Sequence, residues 1–367
     1  MDALNVINQP TGAGVFSIQM LSAIAAFDSK HEITVLIRQD LSEDHELCRL
    51  PFMFRRVDIP TLGLKREVKL PILIRQLKHS FDFFFSFMPY TSIFPLALPY
   101  AVTVHDVAFF RYPEFAKSWF HRWYFFLLMR RSLLPALQLF AVSESTRSDI
   151  SNFFHVPLEN IQIVYPNINH FNDSTIKNFR PLDNPYFLFV GERRKHKNIA
   201  NMLRAFAVFK KQDTEKIKFV LIGRDYDEEY STSLKKLIQE LHIAEHVTML
   251  GSIPTERLKE FYTYARAFIF VSAYEGFGIP ILEAMKQGVP VLTSDTFSMP
   301  EAGGEAALYA DPNDIQNIAA QMTTVATDES IRAMCIERGL EQTQKFSWET
   351  SAETILEFFD TYATSNA

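Results

Sequence analysis

The sequence predicts an α/β protein made of two doubly wound parallel-sheet domains. Three observations carry this. From about residue 186 onward, apolar runs of strand length alternate with stretches of helical periodicity. A chain of 367 residues holds two domains with cores of their own, at roughly 100–200 residues each. Gly191, Gly223, Gly251 and Gly276 each follow a predicted strand, and ligands of parallel sheets bind at the carboxyl ends of the strands.

In the first half, the periodicity predicts a helix from Val15 to Phe27 and a strand from Ile33 to Ile37. Further strands are expected over Phe81–Phe87, Ala101–Val104 and Leu139–Val142, with a long helix from Trp119 to Leu137. These place an N-terminal domain over residues 1–166. Asn167 to Pro185 is rich in Pro, Asn and Asp without periodicity and reads as a linker.

The second domain, residues 186–345, opens on the strand Tyr186–Val190. Ile199, Met202, Leu203, Phe206 and Phe209 then recur at helical spacing. Phe219–Ile222 and Val247–Leu250 are strands with a helix around Leu234 to Leu241 between them. Ala267–Val271 and Val289–Leu292 flank a glycine turn and a helix. An amphipathic helix from Trp348 to Tyr362 closes the chain within residues 346–367.

Hydrophobic residues make up 47% and charged residues 22%, a globular balance. No apolar stretch reaches the ~18 residues of a spanning helix. Cys48 and Cys335 lack metal-ligand spacing, and with no leader in view a reduced, cytoplasmic setting is expected. The net charge of −6 argues against nucleic acid. It is unevenly spread: residues 1–180 carry 18 Lys and Arg against 16 Asp and Glu, residues 181–367 carry 19 against 27. The less acidic half holds the aromatic, basic stretch Lys117–Phe126, which reads either as an amphipathic core helix or as a peripheral membrane contact.

The stretch Tyr274-Glu-Gly-Phe-Gly-Ile-Pro-Ile-Leu-Glu-Ala-Met285 is the most informative. It runs from strand through glycine turn into helix, and sets Glu275 and Glu283 on either side of a helix N-terminus. Amides there favour an anion, and Gly276 and Gly278, flanking Phe277, allow close approach. Carboxylates accept hydrogen bonds from sugar hydroxyls. Together these suit a nucleotide-diphosphate sugar, whose charge the basic loop of Arg193, Arg194 and Lys197 would offset. Asp225-Tyr-Asp227 has the form of a metal-binding pair, but it runs into Glu228 and Glu229 and reads as an acidic helix start. No metal site is expected.

The Glu275-to-Glu283 segment resembles the Glu-x7-Glu signature of retaining GT-B glycosyltransferases, particularly family 4. Thr11-Gly-Ala-Gly14, Thr103-Val-His-Asp106, Ala141-Val-Ser-Glu-Ser145, Val190-Gly191 with Lys197-Asn198, and Met299-Pro-Glu-Ala302 extend the resemblance over almost the whole chain. It implies the GT-B fold: two Rossmann-like domains facing a central cleft, with the closing helix crossing back to the first. Members usually have a full strand before the Thr11 loop, so here that strand is expected to be missing or cut to a stub.

The resemblance also implies roles. Gly12 and Gly14 would close over the donor, Lys197 would hold its phosphates, and Glu283 would bind the ribose. Glu275 and His105 would flank the transferred sugar. His196 stands where the family usually has Arg, so Arg193 or Arg194 would supply that charge. Transfer would retain configuration and need neither metal nor cofactor. GDP-mannose is the first donor choice, with UDP- and dTDP-hexoses behind it, and the base would be read near Gly223 and Gly251 to Ile253. The acceptor would be a glycan or lipid-linked glycan at the inner face of the membrane. A nucleotide-sugar epimerase and a non-catalytic sugar-nucleotide-binding subunit stay open.

Overall fold

The computed structural model describes residues 1–8, 12–27, 30–112, 118–168 and 180–365. Thr11, Lys117 and residues 169–179 of the expected linker lie outside the described residues. The chain divides into two compact units, Met1–Pro166 with Ser347–Ala367, and Asn167–Phe346.

In the first unit, α1 (Gly12–Ala26) leads to the parallel pair β1 (Thr34–Arg38) and β2 (Met53–Val57), then α2 (Leu64–Leu77). A parallel four-stranded sheet follows, of β3 (Phe84–Ser86), β4 (Tyr100–Val104), β5 (Gln138–Ala141) and β6 (Ile161–Ile163). Between these strands run α3 (Ala108–Arg111), α4 (Trp119–Leu133) and α5 (Glu144–Phe154). The helix expected to reach Leu137 stops at Leu133, because Pro135 has no N–H to continue the ladder. The Arg131 carbonyl accepts from the Tyr100 hydroxyl instead.

The first strand is a stub. Asp2 bridges Leu36 of β1 on one side and Ser86 of β3 on the other, both in parallel sense. Leu36 N donates to Met1 O (2.8 Å), Ala3 N to Leu36 O (3.0 Å) and Asp2 N to Phe85 O (2.7 Å). Residues 1–3 thus satisfy strand edges that would otherwise be buried unpaired. A buried ion pair reinforces so short a strand. Arg66 of α2 donates through Nη2 to Asp2 Oδ2 (2.5 Å) and through Nε to the Tyr90 carbonyl (3.0 Å), and both charged side chains are almost wholly buried. Ser86 Oγ and Leu4 N donate to the same carboxylate.

The second unit contains β7 (Tyr186–Val190), α6 (Ile199–Lys210), β8 (Lys218–Ile222), α7 (Glu228–Glu240), β9 (Val247–Leu250) and α8 (Thr255–Thr263). It continues with β10 (Ala267–Phe270), α9 (Ile279–Lys286), β11 (Val291–Ser294), α10 (Met299–Gly303) and β12 (Ala307–Ala310). α11 (Ile315–Thr327) and α12 (Glu329–Thr343) complete it. Its six parallel strands lie in the order β12-β11-β10-β7-β8-β9. From β7 the chain adds β8 and β9 on one side and then β10, β11 and β12 on the other, so the direction reverses between β7 and β10. That crevice is the topological switch point at which such sheets take ligands.

The last helix, α13 (Trp348–Ser365), belongs to the first unit. Trp348 is fully buried and meets Phe16 edge-on at 5.2 Å. Phe359 packs against Phe83 and Phe85.

Candidate active site

Strand β7 ends at Val190 and feeds the loop Gly191 to Asn198. Gly223, at the end of β8, approaches this loop so closely that a Cβ there would collide with the Gly191 carbonyl, and its φ is +152°. Asn198 takes a left-handed conformation (φ 58°) at the start of α6. Its Nδ2 donates to Val271 O (3.0 Å) and Pro312 O (2.7 Å). Ala273 N donates to His196 O (2.8 Å). The loops after β7 and β10 are therefore stitched together by backbone and amide hydrogen bonds at the switch point.

Across this seam Lys197 Nζ lies 2.6 and 2.7 Å from the two Glu275 oxygens. Both side chains are mostly buried, so the pair is screened less than a surface salt bridge. Ser298 Oγ donates to the Glu275 carbonyl (2.8 Å) and fixes the turn from behind. Gly278 has φ +111°, and a Cβ on it would press on Met299 and Ile281. At the start of α9 Pro280 contributes no N–H and Ile281 N donates to Gly278 O (2.9 Å). Fewer amides remain for an anion than at an ordinary terminus.

Glu283, on α9, is nearly buried and accepts a hydrogen bond from the Tyr262 hydroxyl (2.7 Å). Burial, then the Glu283 charge beside it, pushes the Tyr262 phenol far above its usual range, so it stays protonated and donates. Tyr262 lies on α8 and Ser298 just before α10, both without local sequence signals of a site.

The basic loop divides its work. Arg193 is buried, its Nε pairs with Asp225, and its Nη1 donates to Leu250 O (3.0 Å). Arg194 donates to Glu192 and lies over the Tyr226 ring at 3.3 Å. Of the three cations named from sequence, Lys197 is the one placed against Glu275. Asp227 caps α7, accepting from Tyr230 N (2.9 Å), and Asp225 also accepts from Ser231 Oγ (2.7 Å). These two acids serve the helix start and the arginine.

In the first unit Gly12 and Gly14 lie in the first turn of α1. Asn5 Nδ2 ties that start down through Ala13 O (2.9 Å) and Ser17 Oγ (2.9 Å). His105 follows β4, and Phe16 of α1 meets its ring edge-on at 4.8 Å. His105 Nε2 lies 2.8 Å from the Phe87 carbonyl. A carbonyl only accepts, so Nε2 carries the proton and Nδ1 is the acceptor. Burial pushes the imidazole down to about 4, against the opposing pull of that hydrogen bond. His196 is also lowered to about 4, chiefly by burial, with Glu275 acting in the opposite sense.

Both histidines titrate lower folded than unfolded. Between pH ~6.5 and ~4 the unfolded chain therefore binds protons that the native chain does not. Their contribution to stability is complete above pH ~6.5 and declines as the pH falls towards ~4. Urea unfolding at stepped pH should show this slope, and His105→Gln should flatten it. An unchanged slope in the variant would reject the assigned neutral state.

Two family models match the chain, Glycosyltransferase Family 4 over residues 10–170 and Glycosyl transferases group 1 over residues 171–342. O-antigen chain mannosyltransferase B of Escherichia coli is 33% identical over 267 residues, covering 70% of this chain and 68% of that protein. O-antigen chain mannosyltransferase RfbU of Salmonella typhimurium is 32% identical over 220 residues, 60% of this chain and 59% of its own length. Among solved structures, Anabaena HepE in complex with UDP and glucose superposes with a TM-score of 0.75 at 18% identity, covering 97% of this chain and 98% of its own. Sucrose-phosphate synthase from Thermosynechococcus elongatus gives 0.74 at 18% identity, with 98% and 96% covered. At such identities the structural likeness shows the fold, which is GT-B. Taken with the sequence relatives, it means that this chain belongs to glycosyltransferase family 4 and is a glycosyltransferase.

Proposed function

We propose that the protein is a retaining hexosyltransferase that moves mannose from GDP-mannose to a hydroxyl of a glycan or lipid-linked glycan, in surface-polysaccharide synthesis at the cytoplasmic face of the membrane. The observation that carries the transfer reading is the Lys197–Glu275 pair at the switch point between β7 and β10. It sets an anion-binding group beside a hydroxyl-binding group, the combination a phosphorylated sugar requires. Mannose rests on the relatives that bear the name O-antigen chain mannosyltransferase. UDP-sugars stay in the test because HepE was solved with UDP and glucose.

In this reading the diphosphate takes Lys197 from Glu275, and Glu275 turns to the hydroxyls of the sugar. Glu283, held in place by Tyr262, accepts from the ribose hydroxyls. As the sugar–phosphate bond lengthens, negative charge grows on the diphosphate and Lys197 offsets it. The departing phosphate takes the acceptor's proton on the same face, which keeps the anomeric configuration. His105, neutral, offers Nδ1 as an acceptor for a sugar hydroxyl. Transfer proceeds without a divalent cation, since Asp225 and Asp227 are engaged by Arg193 and the α7 start. Unchanged rates in a chelator would agree with this.

A calorimetric and transfer screen of GDP-, UDP- and dTDP-sugars tests the donor, and anomeric analysis of the product tests retention. Incubation with donor alone separates transfer from epimerisation, which needs no acceptor. Lys197→Ala should raise the donor KM about 10- to 100-fold, the value of one lost charge-assisted hydrogen bond, with the acceptor KM unchanged. An unaltered donor KM would remove Lys197 from the phosphate site.

A further inference from the structure

The outer face of α4 is unlike a solvated helix. Trp119 is 80% exposed, Phe120 60% and Trp123 52%, while Leu128, Met129 and Leu133 on the opposite face are buried. One face thus packs on the domain and the other presents aromatic rings outward. The fifteen residues of α4 contain no Asp or Glu but carry Arg122, Arg130 and Arg131, all exposed.

α2 is tied to α4 by a hydrogen bond. The Tyr124 hydroxyl of α4 donates to Glu67 of α2 (3.1 Å), and the other Glu67 oxygen accepts from Ile93 N (2.7 Å). The single carboxylate of α2 is therefore buried and engaged. Outward, Leu64, Val68 and Ile72 form a stripe at four-residue spacing, each more than half exposed. Lys65 and Lys69 beside it share Asp58, which leaves one positive charge in surplus there, and Arg75 adds another. Phe94, half exposed, lies one residue beyond Ile93. Next to it a hollow of about 420 Å³ is lined by Phe94, Leu96, Leu98, Pro135 and Leu137, with Arg131 at its wall.

We infer that this face, the aromatic ridge of α4 with the aliphatic stripe of α2, seats the protein on an anionic lipid bilayer. Charge complementarity selects that occupant. Tryptophan and phenylalanine rings settle at headgroup level, and arginines on the same face meet anionic headgroups. The hollow accepts an acyl chain while Arg131 remains at headgroup level. Among the described residues no helix is long and apolar enough to cross a membrane. The inference deepens the transfer reading by supplying a route to a lipid-borne acceptor, and it rests on that reading for its purpose alone.

Co-sedimentation of the full chain with vesicles tests it. Binding to phosphatidylcholine vesicles carrying phosphatidylglycerol should exceed binding to phosphatidylcholine alone by about tenfold or more and weaken with salt. Trp119→Ala with Trp123→Ala should lower partitioning about tenfold. Arg130→Gln with Arg131→Gln should lower only the anionic-vesicle arm and flatten its salt dependence. Both pairs are exposed, and transfer to a water-soluble acceptor should be unchanged. Wild-type protein that pellets with neither vesicle, or a tryptophan variant that pellets like wild type, would overturn the inference. A wild-type dimer that the tryptophan variant loses, without vesicle binding, would assign the face to a second copy instead. Vesicle binding is read without donor, so its failure leaves the transfer reading standing.

Discussion

Glu275→Gln should lower sugar transfer by about three orders of magnitude and, in the same protein, tighten binding of the sugar-free nucleoside diphosphate about three- to tenfold. The two effects have opposite signs because Glu275 has two partners. It holds Lys197 through both oxygens, so a diphosphate must compete with a carboxylate for the ammonium. Glutamine cannot form the ion pair, and the lysine becomes available at lower cost. A tenfold gain is about 1.4 kcal/mol, within the range of a partly buried pair. The lost transfer reflects the second partner: a glutamine no longer offers a charged acceptor to the sugar as its ring gains positive character, and electrostatic groups of this kind are worth about 10²–10³ or more in rate. Titration calorimetry with the diphosphate and a single-turnover assay give both numbers. Weaker nucleotide binding together with retained transfer would show that the pair is only structural.

Arg66→Ala should destabilise the first unit by about 3–5 kcal/mol, because it strands the buried Asp2 carboxylate without its counter-charge. The loss should match that of a core truncation such as Leu70→Ala, for which about 2–5 kcal/mol is usual. Arg66→Met with Asp2→Asn should recover most of it, since a packed apolar side chain beside a neutral amide removes the charge that has lost its partner. Denaturant unfolding followed by tryptophan fluorescence, with Trp348 buried on α1, measures both variants. Equal stability in wild type and Arg66→Ala would mean that the stub does not depend on this pair.

Much of the second unit was legible because parallel strands buried on both faces become continuous apolar runs. Tyr186–Val190 and Phe219–Ile222 are such runs, and they occupy β7 and β8. β2 left no such trace: Arg55 and Arg56 sit mid-strand and are exposed at a sheet edge. α2 was unread because Pro71 interrupts it and its aliphatic stripe faces outward. The stub could be anticipated but not its support, since Arg66 and Asp2 lie 64 residues apart. The same distance problem limits the site. A glycine turn between two glutamates is a local pattern, whereas the contact of Glu275 with Lys197 spans 78 residues and depends on the strand order. Adjacent arginines look alike in sequence, yet burial engages Arg193 with Asp225 and leaves Arg194 stacked on Tyr226.

The discontinuous makeup of the first unit has a consequence for biogenesis. Its core includes Trp348 and Phe359, contributed by the final helix. During synthesis from the N-terminus, the rings of Phe16, Phe83 and Phe85 emerge well over two hundred residues ahead of their covering helix, so they wait uncovered through translation of the whole intervening lobe. The lobe made second is continuous and free to mature before the lobe made first, which inverts the usual vectorial order. The nascent polypeptide thus carries a sticky aromatic surface until that helix has been made, a natural place for chaperone attention.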